Sequence, residues 1–127
     1  MLFATLAMLV ATPVAQTRPM SVADVMAKAD AIQRKGMLAI FSSEVGAIKA
    51  EAQEDVDAFG RELANASQTH RPLPACPPTS GPNSFKFTVD TAELLQYYRS
   101  LPAADRSLSS RQAFAQFMSR KFPCHGR

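Results

Sequence analysis

The chain has 127 residues, a net charge of +3, nine prolines, two cysteines and no tryptophan. That length suits one domain and leaves little room for two. Its lysines and arginines are scattered singly, without the runs or aromatic-interleaved stripes of nucleic-acid binders, so the charge reads as solvation with weak steering at most. It is nonetheless uneven: residues 16–57 hold five basic and seven acidic side chains, net −2, and residues 58–127 hold nine and four, net +5.

The opening "MLFATLAMLVATPVAQ" carries no charge. The apolar run Leu2–Val10 has the length of a signal-peptide h-region and is too short to span a bilayer. Ala15 offers a small residue for cleavage, so the expectation is a signal peptide over 1–15 and a single exported domain over 16–127. A buried N-terminal helix is the alternative, which "ATPVA" argues against. No cysteine precedes the cleavage region to hold a lipid, and no other segment is apolar enough to cross a membrane, so no membrane attachment is expected after cleavage.

Ser21 begins the first predicted helix, with "SVAD" close to a capping box. Val22, Val25, Met26, Ala29 and Ile32 follow at helical spacing. Arg34 and Lys35 suit the negative end of the dipole, and Gly36 is a natural residue beyond it. A longer helix is predicted next from Leu38, Phe41, Val45, Ile48, Ala52, Val56, Phe59 and Leu63. Gly46 and Gly60 inside it are expected to mark close contacts with a neighbouring helix. Whether Gly36 separates two helices or bends one is left open by the pattern.

Residues 67–89, "SQTHRPLPACPPTSGPNSFKFTV", contain five prolines and cannot sustain a helix. Cys76, Phe85 and Phe87 give the segment apolar anchors, so it is expected to be an ordered, extended loop; "FKFTV" has strand alternation but no evident partner. Asp90 then caps a third helix with Leu94, Leu95, Tyr98 and Leu101 on its apolar face, ended by Pro102. After the turn "AADRS", Ser109 or Ser110 caps a fourth helix carrying Phe114, Phe117 and Met118, stopped by Pro123. The fold class expected is all-α: a small bundle of about four helices with a Pro-rich ordered loop and one disulfide.

Two cysteines in an exported chain most economically pair with each other. A Cys76–Cys124 bond would tie the proline loop to the end of the last helix. Metal binding lacks ligands: His70 and His125 stand far apart, and no Cys-x-x-Cys or His-x-x-x-His spacing occurs. Neither metal nor other cofactor is expected. The segment "EAQEDVD" offers Glu51, Glu54 and Asp55, a carboxylate group that can do acid/base work when one member sits in an apolar pocket. These lie opposite the apolar stripe in this reading, which makes them a solvated face. Ser42, Ser43, Ser109 and Ser110 have neither a nucleophile elbow nor a histidine and acid in order, so no catalytic residues are assigned and no enzyme is expected. Binding remains. The loop "CPPTSGPNSF", stiffened by three prolines, loses little entropy on docking. Its candidate contact residues are Pro78, Thr79, Ser80, Asn83, Ser84 and Lys86.

The C-terminal half, residues 76–124, resembles the Rap/Tai family of periplasmic immunity proteins that neutralise type VI secretion amidase effectors. The resemblance rests on "CPP", on Leu94, Leu95 and Tyr98, on "LPAADR" with Pro102 and Arg106, and on "AFAQFMSRKFPC". It implies an all-α periplasmic protein, often homodimeric, that blocks an effector's active-site cleft. It also implies that the closing Phe122-Pro123-Cys124 pairs back to the Cys-x-Pro segment at Cys76 and Pro78. The function expected is therefore inhibition of a secreted peptidoglycan amidase. The alternative is a structural or chaperone-like envelope protein without a dedicated effector.

Overall fold

The computed structural model describes residues 20–81, 84–85 and 87–125. The expected signal peptide lies outside them. Four α-helices account for most of the described chain: α1 (Val22–Lys35), α2 (Ser43–Gln68), α3 (Thr91–Ser100) and α4 (Ser110–Lys121). None is long and apolar enough to cross a membrane. A 3₁₀ turn, Gly36–Phe41, joins α1 to α2, and another, Ala103–Ser107, joins α3 to α4.

Local chemistry sets the helix starts. Ser21 accepts from the Asp24 N–H, and the Asp24 carboxylate accepts from the Ser21 N–H, a complete capping box. Ser109 and Gln112 do the same for α4, and Asp90 accepts from the Ala92 N–H at the start of α3. At the far end of α3, Arg106 donates to the carbonyls of Arg99 and Leu101, where a cation is favoured by the helix dipole. Gly36 ends α1 at φ 59°, ψ −133°, backbone that a side chain rarely tolerates. It does separate the first two helices, and α2 starts at Ser43 rather than at Leu38.

The two capped N-termini lie side by side. Ser21 and Ser109 form an isolated antiparallel bridge, with Val22 N–H donating to Leu108 O at 2.9 Å and Ser110 N–H to Met20 O at 2.7 Å. The starts of α1 and α4 are thus joined, while α2 packs against both helices.

The core has two parts. Phe59, Leu63, Ala75, Phe114, Phe117 and Met118 form one, and Val22, Val25, Tyr98, Leu101 and Ala113 the other. Burying each large apolar side chain stabilises the fold by about 1.5–3 kcal/mol. Phe59 meets Phe87 and Phe114 edge-to-face at 6.0 and 5.8 Å. The stripes expected of α3 and α4 are the ones that face inward.

Two further expectations need correction. The Pro-rich segment is not wholly unpaired: Thr79–Gly81 (β1) pairs antiparallel with Ser84–Phe85 (β2), in a register with a shift between Thr79 and Gly81. The partner for the strand-like residues lies inside the same loop, and this short pair leaves the all-α class unchanged. Gly46 and Gly60 mark no close helix contact, because a Cβ at either would meet nothing within 4 Å. Gly60→Ala should therefore raise stability by about 0.5–1 kcal/mol through helix propensity, read as a higher urea midpoint. A loss of stability would mean that the space beside Gly60 is filled.

Candidate functional site

The two cysteines form the expected disulfide, Cys76–Cys124, with Cα atoms 5.1 Å apart and a sequence separation of 48. Cys76 N–H also donates to Phe122 O at 2.8 Å, so backbone and side chain together hold the proline loop to the end of α4. Phe122 is half-buried against the main core, and Pro123 follows the last turn of the helix. Pro77 is buried, whereas Pro78 and Thr79 are exposed. Ser80 lies in β1 and Ser84 in β2; Asn83 and Lys86 fall outside the described residues. On the inner side of the loop, Phe85 and Phe87 pack on the core. The candidate contact residues that are described thus sit on one short segment with a covalent anchor at one end and an aromatic anchor at the other.

A second constellation was not expected at this place. Asp55 is not part of a solvated face: it is only 3% exposed. The reason is its phase on α2. Glu51, Asp55, Phe59 and Leu63 stand four residues apart, on one line of the helix that faces the core. Glu54 does remain outside, pairing with Arg111 at 3.2 Å.

Ser110, 1% exposed in the first turn of α4, sits between the two inward carboxyls. Its Oγ lies 2.7 Å from Glu51 Oε1 and 2.8 Å from Asp55 Oδ2. Glu51 Oε1 accepts in addition from the Met20 N–H at 3.1 Å. A hydroxyl has one hydrogen to donate, so two ionised carboxylates cannot both be satisfied by it. Both contacts of Ser110 Oγ are satisfied when Ser110 donates to Glu51 and a protonated Asp55 donates to Ser110 through Oδ2. The electrostatics agree: burial first, then the nearby Glu51 and Glu54 charges, push the Asp55 carboxyl from 3.8 up to about 6, against the opposing pull of Ser110 and Arg111. Tyr98 is held protonated far above its usual range by burial and by the same acids, and its hydroxyl donates to Ser110 O at 3.2 Å.

These groups border a cleft of about 240 Å³. Ile48, Ala52 and Val56 of α2 line one side, Leu94, Leu95 and Tyr98 of α3 another, and Phe87, Val89 and Phe114 complete the apolar wall. Asp55 and Ser110 line it as well, and Asp55 Oδ1 is buried without any hydrogen-bond partner. Among the described residues no group of three His, Cys, Asp or Glu side chains is placed to hold a metal ion. The four-residue spacing from Glu51 to Leu63 is the one sequence signal that pointed to this site; Ser110 is brought to it only by the packing of α4 on α2.

Fold and site together define a disulfide-stapled, all-α domain with a pinned proline loop and an apolar cleft that carries a buried carboxyl. No protein-family model, curated protein or solved structure matches the chain.

Proposed function

We propose that this protein is a binding and inhibitory module of the Rap/Tai immunity kind, exported to the periplasm, where it occludes the active-site cleft of a type VI secretion amidase. One observation carries this proposal: the Cys76–Cys124 bond and the Phe87 anchor hold an exposed proline segment at Pro78 and Thr79. A loop ordered before binding loses little conformational freedom on docking, which suits insertion into a cleft. The +5 balance of residues 58–127 favours an acidic partner surface and faster encounter. A disulfide and the absence of a membrane-length apolar helix among the described residues are compatible with an oxidising, aqueous compartment.

The test is inhibition. The oxidised protein is titrated into an amidase effector encoded beside its gene, and release of cleaved peptide from purified peptidoglycan is measured. Stoichiometric loss of hydrolysis supports the proposal, and Thr79→Arg should then weaken inhibition about tenfold, roughly 1.4 kcal/mol, with an unchanged melting temperature. Hydrolysis that continues unaltered at saturating protein rejects it.

A client-holding envelope protein is favoured by one different observation. Met37 and Leu38, in the turn between α1 and α2, are 92% and 74% exposed. Suppression of client aggregation that is lost in Met37→Ser/Leu38→Ser and retained in Thr79→Arg would favour this second reading over the first.

A further inference from the structure

We propose that the cleft between α2 and α3 binds an apolar primary amine, with its hydrocarbon part along the Leu94, Leu95 and Phe87 wall and its ammonium group on Asp55.

The cleft has room for such a molecule. Its volume of about 240 Å³ exceeds the roughly 150 Å³ that accommodates benzene in an engineered protein cavity. Its walls are almost wholly aliphatic and aromatic, which sets the character of the ligand's body.

The polar end decides the head group. Asp55 Oδ1 is buried with no donor, an arrangement that costs free energy until a donor arrives. The side chain's terminal torsion is soft, so a small rotation turns an oxygen toward the cleft. The other donors nearby are already engaged: Ser110 Oγ–H lies between Glu51 and Asp55, and Tyr98 O–H is directed at Ser110 O.

The surrounding charges select an amine over an acid. Glu51 and Asp55 line the site from α2, Glu54 acts on Asp55 from outside it, and Tyr98 from α3 is neutral. Among the described residues Arg111 of α4 is the one cation acting on Asp55, and it is paired with Glu54. Val25 of α1 and Phe87 and Val89 of the incoming segment bring no charge. A carboxylate ligand would add to the negative field, and an alcohol would gain a hydrogen bond without the ion pair. An ammonium group satisfies the orphan oxygen and compensates the charge together. It competes with the proton for Asp55, so its affinity should fall about tenfold for each pH unit below about 6.

Amine binding is independent of any effector and is tested without one. Binding of n-octylamine, 1-octanol and octanoate to the oxidised full-length protein is measured by calorimetry near pH 7.5. The amine should bind one-to-one, roughly tenfold tighter than the other two. Asp55→Asn should bring the amine down to the level of the alcohol. Ala52→Phe, which fills the cleft from α2 and leaves Asp55 in place, should weaken all the probes. Equal affinity for the three probes, amine binding unchanged by Asp55→Asn or by Ala52→Phe, or no binding to the folded wild-type protein would each overturn the proposal.

Discussion

Cys124→Ser should lower the melting temperature of the oxidised protein by roughly 15–20 °C. The bond it removes closes residues 76–124 into one covalent loop. Closing a loop of that length restricts the unfolded chain by about 4 kcal/mol, and about 4–5 °C accompanies each kcal/mol in a domain of a little over 100 residues. The loss is concentrated at one place. Without the bond, the proline loop is held to α4 by the Cys76–Phe122 backbone hydrogen bond and by Phe85, Phe87 and Leu73 against the core. The segment proposed to dock should therefore lose order before the helices do, and the proposed inhibitory binding should weaken in the same variant. Calorimetric scans with and without reductant check this. Wild type should fall to the variant's value when reduced, and the variant should be indifferent to reductant. A variant melting within a couple of degrees of wild type would show that the staple contributes little to this fold.

Asp55→Asn should stabilise the protein at neutral pH, by an amount on the order of 2–3 kcal/mol, and flatten its pH dependence. Folding raises the Asp55 carboxyl from 3.8 to about 6. Between those values the folded state holds a proton that the unfolded state has released. Stability contributed by this group is thus fully present below about pH 4, declines as pH rises through 6, and is absent above it. A rise from 3.8 to about 6 corresponds to about 3 kcal/mol. Asparagine keeps the size of the side chain and can hydrogen-bond Ser110 Oγ without a charge to desolvate. Urea unfolding from about pH 4 to 8 gives the comparison: a falling midpoint for wild type and a level one for the variant. A wild-type profile that is level between pH 4.5 and 7, or a variant weaker than wild type throughout, would show that Asp55 is folded without such a penalty. The gain in stability should accompany the loss of amine selectivity, the usual relation when a strained polar group serves binding.

Much of the fold was legible along the chain because its signals are local. The serines at 21 and 109 with their partners three residues on, the four-residue and three-residue spacing of Val22–Val25–Ala29 and Phe114–Phe117–Met118, and the stops at Gly36, Pro102 and Pro123 all act within a few residues of themselves. The disulfide was legible by arithmetic, since a chain with two cysteines has one intramolecular pairing. The start of α2 was less so: Leu38 and Phe41 continue the helical spacing, but the backbone at Gly36 launches a 3₁₀ turn that takes six residues before the helix begins. The β1–β2 pair was invisible for a related reason, as its register includes an irregularity that alternation does not announce.

The inward site was half legible. Asp55 stands on the Phe59–Leu63 line, and that phase alone predicts burial; acidity argued the other way, and packing prevailed. Nothing local joins Ser110 to Glu51 and Asp55, which lie 59 and 55 residues earlier. The sequence by itself determined four helices, three of them with their caps, the apolar faces of α3 and α4, the proline loop and the one available cross-link, because each depends on neighbours in the chain or on a count. The tertiary structure decided that the N-termini of α1 and α4 meet, that α4 sets one hydroxyl between two acids, and that α3 leaves an apolar cleft beside them. Those outcomes depend on which helices pack together and at what phase, and burial then lifts an ordinary carboxylate well above its usual range.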